Sequence, residues 1–281
     1  MVTMLTVESP DIAVDHERLV ERTIGIMRAS EDPLTLDDLA DMAGLSPFYF
    51  ARIFRSVAGI PPGEFQSALR FERAKMLLLT TSASVTDICF AVGYDSLGTF
   101  SSRFKRLVGI GPAEFRMMPE VVAGLADEPA MARDALPEAH ASASVWGGVD
   151  APDAAGGLHV YVGLFPDGIA RSRPVVGQML TQPGPFLLPN VPAGQYHLLG
   201  AALPASGNPL DHLVPGPGTR VGIGAPVIVR TGREHIHREM VLRAPKPTDP
   251  PILTALPALR LFCPNNAVAT SQKRLAALAA R

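Results

Sequence analysis

The chain has 281 residues, 47% apolar and 19% charged, which excludes a disordered polyelectrolyte and leaves room for two globular domains. Its formal net charge of −2 excludes a uniformly basic nucleic-acid coat. Two distant cysteines, Cys89 and Cys263, make neither a disulfide framework nor a zinc site, so a reducing cytoplasm is the expected compartment.

The opening MVTMLTVESPDIAVDHE lacks a charged segment followed by a long apolar run, so no signal peptide is expected. No apolar stretch reaches about 18 residues, so no membrane span or membrane partner is expected either. Charge is unevenly spread. Residues 17–45 hold three Lys+Arg against seven Asp+Glu, whereas residues 46–116 hold nine against five. A phosphate backbone would feel that local balance rather than the average.

In chain order, Leu36, Leu39, Ala40 and Ala43 recur at i, i+3, i+4 and i+7, one face of a helix. Gly44 suits the left-handed residue that ends it. Ser46 then stands where an N-cap is needed and Pro47 fits the first turn of a second helix. Phe50, Ile53, Phe54 and Val57 give that helix its apolar face. Two short helices around a glycine turn match the helix-turn-helix pattern. Residues 62–80 read as one long helix of roughly 25–30 Å at 1.5 Å per residue.

The same logic returns after it. Ser84 caps a helix whose buried face is Val85, Ile88, Cys89 and Val92; Gly93 makes the turn, and Ser96 caps a helix that buries Phe100, Phe104 and Leu107. Cys89 reads as a small buried apolar residue. Phe50, Phe54, Gly59, Ile60, Pro62, Glu64 and Phe65 match Phe100, Phe104, Gly109, Ile110, Pro112, Glu114 and Phe115 at one constant offset. Leu39, Ala40 and Gly44 match Ile88, Cys89 and Gly93 one residue out of that register, so one turn carries an extra residue. A helix of the spacer's length is suited to setting two recognition helices about one DNA turn apart, about 34 Å. A wholly helical protein-binding domain is the alternative reading of the repeat.

The run LADMAGLSPFYFARIFRSVAGIPPGEF, followed by LRFERAKMLLLTTSASVTDICFAVGYDSLGTFSSRFKRLVGIGPAEFR, resembles the AraC/XylS family of transcription regulators. The resemblance covers about residues 17–118 and implies double-stranded DNA as partner. That family usually carries this domain last, whereas here it comes first, so the rest of the chain is judged on its own residues.

Base contacts are expected from the N-terminal half of each second helix, on the face away from the core. In the first copy Ser46, Phe48, Tyr49, Ala51, Arg52 and Arg55 occupy that face or its cap. Arg52 is the candidate for a bidentate contact to guanine. Phe48 reads either as core or as a partner for a thymine methyl, and the resemblance places it on the DNA side. Arg55 suits phosphate. In the second copy the candidates are Ser96, Leu97, Thr99, Ser101, Ser102, Arg103, Lys105 and Arg106. Ser102 stands where relatives often carry arginine, and Leu97 offers no side-chain hydrogen bond. The first copy is therefore expected to set sequence preference. The second is expected to anchor, with Arg103, Lys105 and Arg106 on phosphate and Arg103 nearest the inward face.

Residues 119–142 read as a linker rich in Ala, Glu and Pro. Residues 143–245 show strand alternation, with Val160, Val162 and Leu164 on one face and His159, Tyr161 and Gly163 on the other. Further strands are expected within SVWGGV, GPFLLPNV, QYHLLGAAL, TRVGIGAPVIVR and HIHREMVLR, separated by Gly/Pro turns. The run GPFLLPNVPAGQYHLLGAAL resembles the transthyretin-like or carboxypeptidase-regulatory-like sandwich, in which it implies a hairpin and a binding or scaffolding role. His235 and His237 share a strand face, and Asp211-His212 is a second polar pair, but no third metal ligand is evident. Trp146, Tyr161, Phe165, Phe186 and Tyr196 divide between core and a ligand pocket. The tail 246–281 reads as an extension with a short helix capped by Ser271, whose Leu275 and Leu278 suit dimerisation.

The expected fold is multidomain α plus β. Residues 15–118 form an all-α double helix-turn-helix domain, and residues 143–245 form an all-β antiparallel sandwich. No catalytic residue, cofactor or metal is expected, because no GxSxG, HExxH or phosphate-binding glycine loop occurs. The reading is a cytoplasmic, sequence-specific transcription regulator whose sandwich senses a small effector or joins two copies. RNA polymerase is a further partner such a regulator would meet. The alternative is a DNA-binding domain fused to a catalytic domain of the DNA-repair alkyltransferase kind, with Cys263 as its nucleophile. That cysteine lacks the Pro-Cys-His-Arg context and any nearby histidine to activate it.

Overall fold

The computed structural model describes residues 10–30, 32–126, 143–152, 156–206, 208–216, 218–231 and 233–258. Most of the expected linker, the tail helix with Ser271, Leu275 and Leu278, and Cys263 lie outside these residues. The chain divides into two compact units. One comprises residues 1–70 with 246–251, the other residues 71–245 with 252–281.

The first unit holds α1 (Pro10–Ala29), α2 (Leu36–Ala43), α3 (Pro47–Ala58) and the start of α4 (Pro62–Thr80). Helix α1 is an addition to the predicted elements. It buries Val20, Ile24 and Met27 at i, i+4 and i+7. Leu39, Ala40, Phe50, Ile53, Phe54 and Phe65 complete the core. Leu36, expected on the buried face, is 42% exposed, because it opens α2 and the core begins one turn later. The segment 246–251 belongs to this unit, and Lys246 Nζ sits 2.9 Å from Glu17 Oε1.

The second unit contains the rest of α4, then α5 (Val85–Ala91), α6 (Leu97–Val108), α7 (Pro112–Arg116), α8 (Met118–Ala126) and all the strands. The bounds of α4 are those the sequence pattern predicts. The two helical repeats use one aromatic design. Phe50 and Phe54 meet at 5.8 Å and Phe54 and Phe65 at 5.5 Å. Their counterparts Phe100, Phe104 and Phe115 meet at 5.7 Å and 5.7 Å. Tilted and edge-on pairs of this kind add to the apolar area they bury.

The strands form two sheets. One has β4 (Gly184–Leu188), β1 (Ser144–Asp150) and β8 (His235–His237) in that order, with β9 (Met240–Val241) also on β1. The other runs β3 (Val176–Leu180), β2 (Leu158–Phe165), β5 (Gly194–Pro204) and β6 (Arg220–Ile223), with β7 (Val227–Val229) also on β5. Val145, Val149 and Leu188 from the first sheet share one core with Val160, Val162, Leu164 and Leu198 from the second.

Two features differ from expectation. The β1–β8 and β1–β9 pairs are parallel, so the first sheet is mixed, whereas every pair of the second is antiparallel. The run through Phe186 and Tyr196 is no hairpin. Strand β4 pairs with β1 and β5 with β2, so the turn between them crosses from one sheet to the other, with Asn190 at φ 57°. The outer face of β2 is also covered. Tyr161 packs with Ala201, Leu203 and Leu256.

Leu256 belongs to a strap that ties the sheets to α6. Leu253 N donates to Ala170 O, Thr254 Oγ1 to Ser172 O, and Ala255 N to Val108 O. Ser172 N donates to Leu107 O. The last carbonyls of α6, which a helix cannot satisfy internally, are thus met by backbone from the β region. Beneath the strap Lys75 is fully buried, and its Nζ donates to Ile252 O at 3.0 Å.

Candidate nucleic-acid interface

Local chemistry defines each helix-turn-helix. Thr35 caps α2 in a reciprocal box. Its hydroxyl accepts from Asp38 N at 3.1 Å, and Thr35 N donates to Asp38 Oδ2 at 2.8 Å. Hydrogen bonds from the Thr35 hydroxyl and amide hold the Asp38 carboxyl below its ordinary range. Ser84 and Asp87 repeat this box on α5, at 3.0 Å and 3.2 Å. The sequence signal for both is Ser/Thr-x-x-Asp before an apolar run, and only the Ser84 half was anticipated. Ser84→Ala is expected to cost about 1 kcal/mol, read as a lower urea midpoint, and Thr35→Ala about the same.

Both turns then close alike. Leu45 N donates to Ala40 O and Tyr94 N to Cys89 O, each at 3.0 Å. Gly44 and Gly93 take φ 67° and 75°, the left-handed region where a Cβ is costly. The extra residue of the second copy lies after Gly93, where four positions separate it from α6 against three from Gly44 to α3. Cys89 is buried, burial pushes its thiol up, and its Sγ lies 3.6 Å from Tyr94 O. That environment suits packing, not nucleophilic chemistry.

On α3, Phe48 is 84% exposed, the most exposed large apolar side chain described. The core reading of Phe48 therefore fails. Arg52 and Arg55 are exposed, while Tyr49 and Ala51 are half-buried. The Arg52 guanidinium lies 5.0 Å from the Tyr49 ring centre, and His16 of α1 meets that ring edge-on at 6.4 Å. Sequence reasoning missed His16, since nothing local links it to α3. Ser46 occupies the N-cap position, but its side chain makes no capping hydrogen bond, so the predicted cap is supplied by position and Pro47 alone. The Ser46 hydroxyl is exposed.

On α6, Ser96 does cap, accepting from Thr99 N at 3.4 Å. Leu97 is 40% exposed; Thr99, Ser102, Lys105 and Arg106 are exposed and Ser101 half-buried. Arg103, expected on phosphate but nearest the inward face, is exposed too, with its guanidinium 6.0 Å from the Tyr94 ring centre. Arg55, Lys105 and Arg106 lie in the last turns of their helices, where cations also complement the helix dipole.

His235 and His237 are each engaged within the β region. His235 Nδ1 lies 2.8 Å from Ser144 Oγ, and His237 Nε2 lies 2.8 Å from Glu239 Oε1. Among the described residues no group of three or more His, Cys, Asp or Glu is arranged to hold a metal. No described helix is long and apolar enough to cross a membrane. Of the aromatics considered for a pocket, Tyr161, Phe165, Phe186 and Tyr196 are buried, and Trp146 is 47% exposed.

Comparison with known proteins bears on the helical region alone. A family model described as a helix-turn-helix domain matches residues 39–118. The HTH-type transcriptional activator AarP of Providencia stuartii is 37% identical over 84 residues, covering 30% of this chain and 62% of that protein. The bifunctional transcriptional activator/DNA repair enzyme AdaA of Bacillus subtilis is 34% identical over 90 residues, 32% of this chain and 43% of that protein. A solved AraC-type regulator from Chromobacterium violaceum is 32% identical, over 37% of this chain and 95% of that one, with a TM-score of 0.36. The chain thus spans less than two thirds of the curated relatives it matches. Two capped helix pairs of one design, the alignment of residues 39–118 and the relatives sharing them make this segment an AraC-type helix-turn-helix DNA-binding domain.

Proposed function

We propose that the chain is a sequence-specific transcription regulator that holds double-stranded DNA through α3 and α6. The observation that carries this is the exposed N-terminal half of α3, where Phe48 and a Tyr49-supported Arg52 stand outside the core. Arg52 offers two parallel donors to guanine, and Phe48 an apolar face to thymine. At the positions matching Phe48 and Arg52, α6 carries Gly98 and Ser102, while its cations sit at Arg103, Lys105 and Arg106. The first unit reads bases and the second grips phosphate.

The β region is a binding or assembly module of the transthyretin-like kind, supported by its two sheets over one core. It senses a small effector or joins two copies, and RNA polymerase is the further partner at promoters. No step of this function is catalytic. The alkyltransferase alternative concerns Cys263, outside the described residues, and the match to AdaA is confined to the helix-turn-helix region.

Selection of bound duplexes from a random pool tests the reading. Enrichment of one asymmetric motif is expected. Recovery of a random population at every salt concentration overturns it. Lys105→Ala and Arg106→Ala are each expected to reduce the slope of log affinity against log salt by about one, with the selected motif unchanged.

A further inference from the structure

Strand β1 places its side chains alternately, so Val145 and Val149 enter the core while Trp146 faces out. Trp146 borders an open groove of about 800 Å³, lined also by Pro185, Leu187, Asp150, His237 and Glu239. This is the chain's single tryptophan. Its half-exposed indole shares the groove with Pro185 and Leu187, which gives the site an apolar wall.

The polar end of the groove is built, not incidental. The His237 ring lies 4.4 Å from Trp146, and His237 Nε2 is 2.8 Å from Glu239 Oε1, which forms a row of three. Two consecutive glycines permit it. A Cβ on Gly147 would stand 1.7 Å from Arg238 O, and one on Gly148 would stand 2.5 Å from Glu239 Oε2. A Cβ at position 147 would strike the Arg238 carbonyl, so glycine there lets the residue 238 backbone lie on β1, and Glu239 follows beyond His237 in the row. Arg238 turns away, its Nε and Nη2 donating to Pro226 O at 3.2 Å and 2.8 Å. Among the described residues no lysine or arginine lines the groove, whereas two carboxylates, Asp150 and Glu239, do.

We propose that this groove binds a small organic cation with an apolar body. The body lies on Trp146, Pro185 and Leu187, and the charge sits at the groove's polar end, on the side of the Asp150 and Glu239 carboxylates. An aromatic face attracts cations through its quadrupole, and the carboxylates add to the field. An anion meets two like charges there, and a neutral molecule leaves them unused. This gives a chemical class to the effector assigned to the β region, and to that extent rests on the regulatory reading.

The full chain is its own reporter, since tryptophan emission arises from the groove alone. It is titrated with benzyltrimethylammonium, with benzyl alcohol as the neutral match and phenylacetate as the anionic one. A saturable emission change is expected for the cation, roughly fivefold tighter than for the alcohol, and none for phenylacetate. Glu239→Gln, an exposed substitution, is expected to weaken the cation about threefold and leave the alcohol unchanged. A linear, unsaturable quench, equal response to all three probes, or indifference of the cation to Glu239→Gln overturns the proposal. Retention on the selected duplex is followed in the same samples. Loss of retention sinks the regulatory reading, whereas absent saturation with retention intact sinks the groove alone.

Discussion

Arg52→Ala is expected to lower discrimination between selected and scrambled duplexes by about 5- to 150-fold, the equivalent of about 1–3 kcal/mol, without unfolding the chain. The side chain is exposed, so its removal leaves no cavity. Its loss is felt at the DNA because it is held in advance: the guanidinium rests over Tyr49, itself buttressed by His16. Arg52→Lys separates two contributions. It restores charge near phosphate but not the planar fork, so overall affinity recovers while base preference does not. Ser102→Ala, at the matching place on α6, is expected to leave the selected motif intact. Competition binding with labelled duplexes at fixed salt measures all three. Should Arg52→Ala keep the motif and Ser102→Ala erase it, the division of labour between the units is reversed.

Lys75 gives the second large effect. Burial lowers its ammonium from 10.5 to about 8, partly offset by the charge of Glu72. Below about pH 8 the folded chain keeps a buried cation, held by Ile252 O and lying 5.5 Å from the Phe115 ring centre. Between pH 8 and 10.5 the unfolded chain still binds the proton that the folded chain has released. Stability therefore rises with pH across that window, by roughly 3 kcal/mol for this group alone. Lys75→Met removes the charge and keeps the stem. It is expected to be near neutral or stabilising at pH 7, where replacing a buried ion by an apolar group of similar size often is, and to abolish the rise. Urea midpoints of both chains at pH 7, 8, 9 and 10 provide the comparison, with the difference cancelling other titrations. Parallel curves show that the ammonium is solvated when folded.

How much of this could be read in advance follows the range of the forces involved. The helices were legible because their signals are local. Ser84 and Asp87 stand three apart, Gly44 and Gly93 mark the turns, and 64–80 carries no breaker after Pro62 and Gly63 open the helix. The duplicated aromatic trio was legible because repetition exposes what one copy leaves ambiguous. Strand β3 was missed since all five of its residues are half-buried and show no alternation. The inter-sheet crossing was misread as a hairpin because Asn190 and Pro192 announce a turn but not which partners its arms will find. Phe48 stayed ambiguous in the sequence, where an apolar ring looks the same whether it faces core or groove.

From the chain alone came the two helix pairs, the Ser84 and Ser96 caps, the asymmetry between Arg52 and Ser102, and the existence of a strand-rich second half. Those depend on interactions between residues a few positions apart, which the order of residues largely dictates. Only the folded structure decided the parallel pairing of β8 and β9 with β1, the burial of Lys75 under residue 252, and the meeting of Trp146 with His237 and Glu239. Each joins residues about 90 or more positions apart, and the free energy that selects such partners comes from shared burial, which no local pattern encodes.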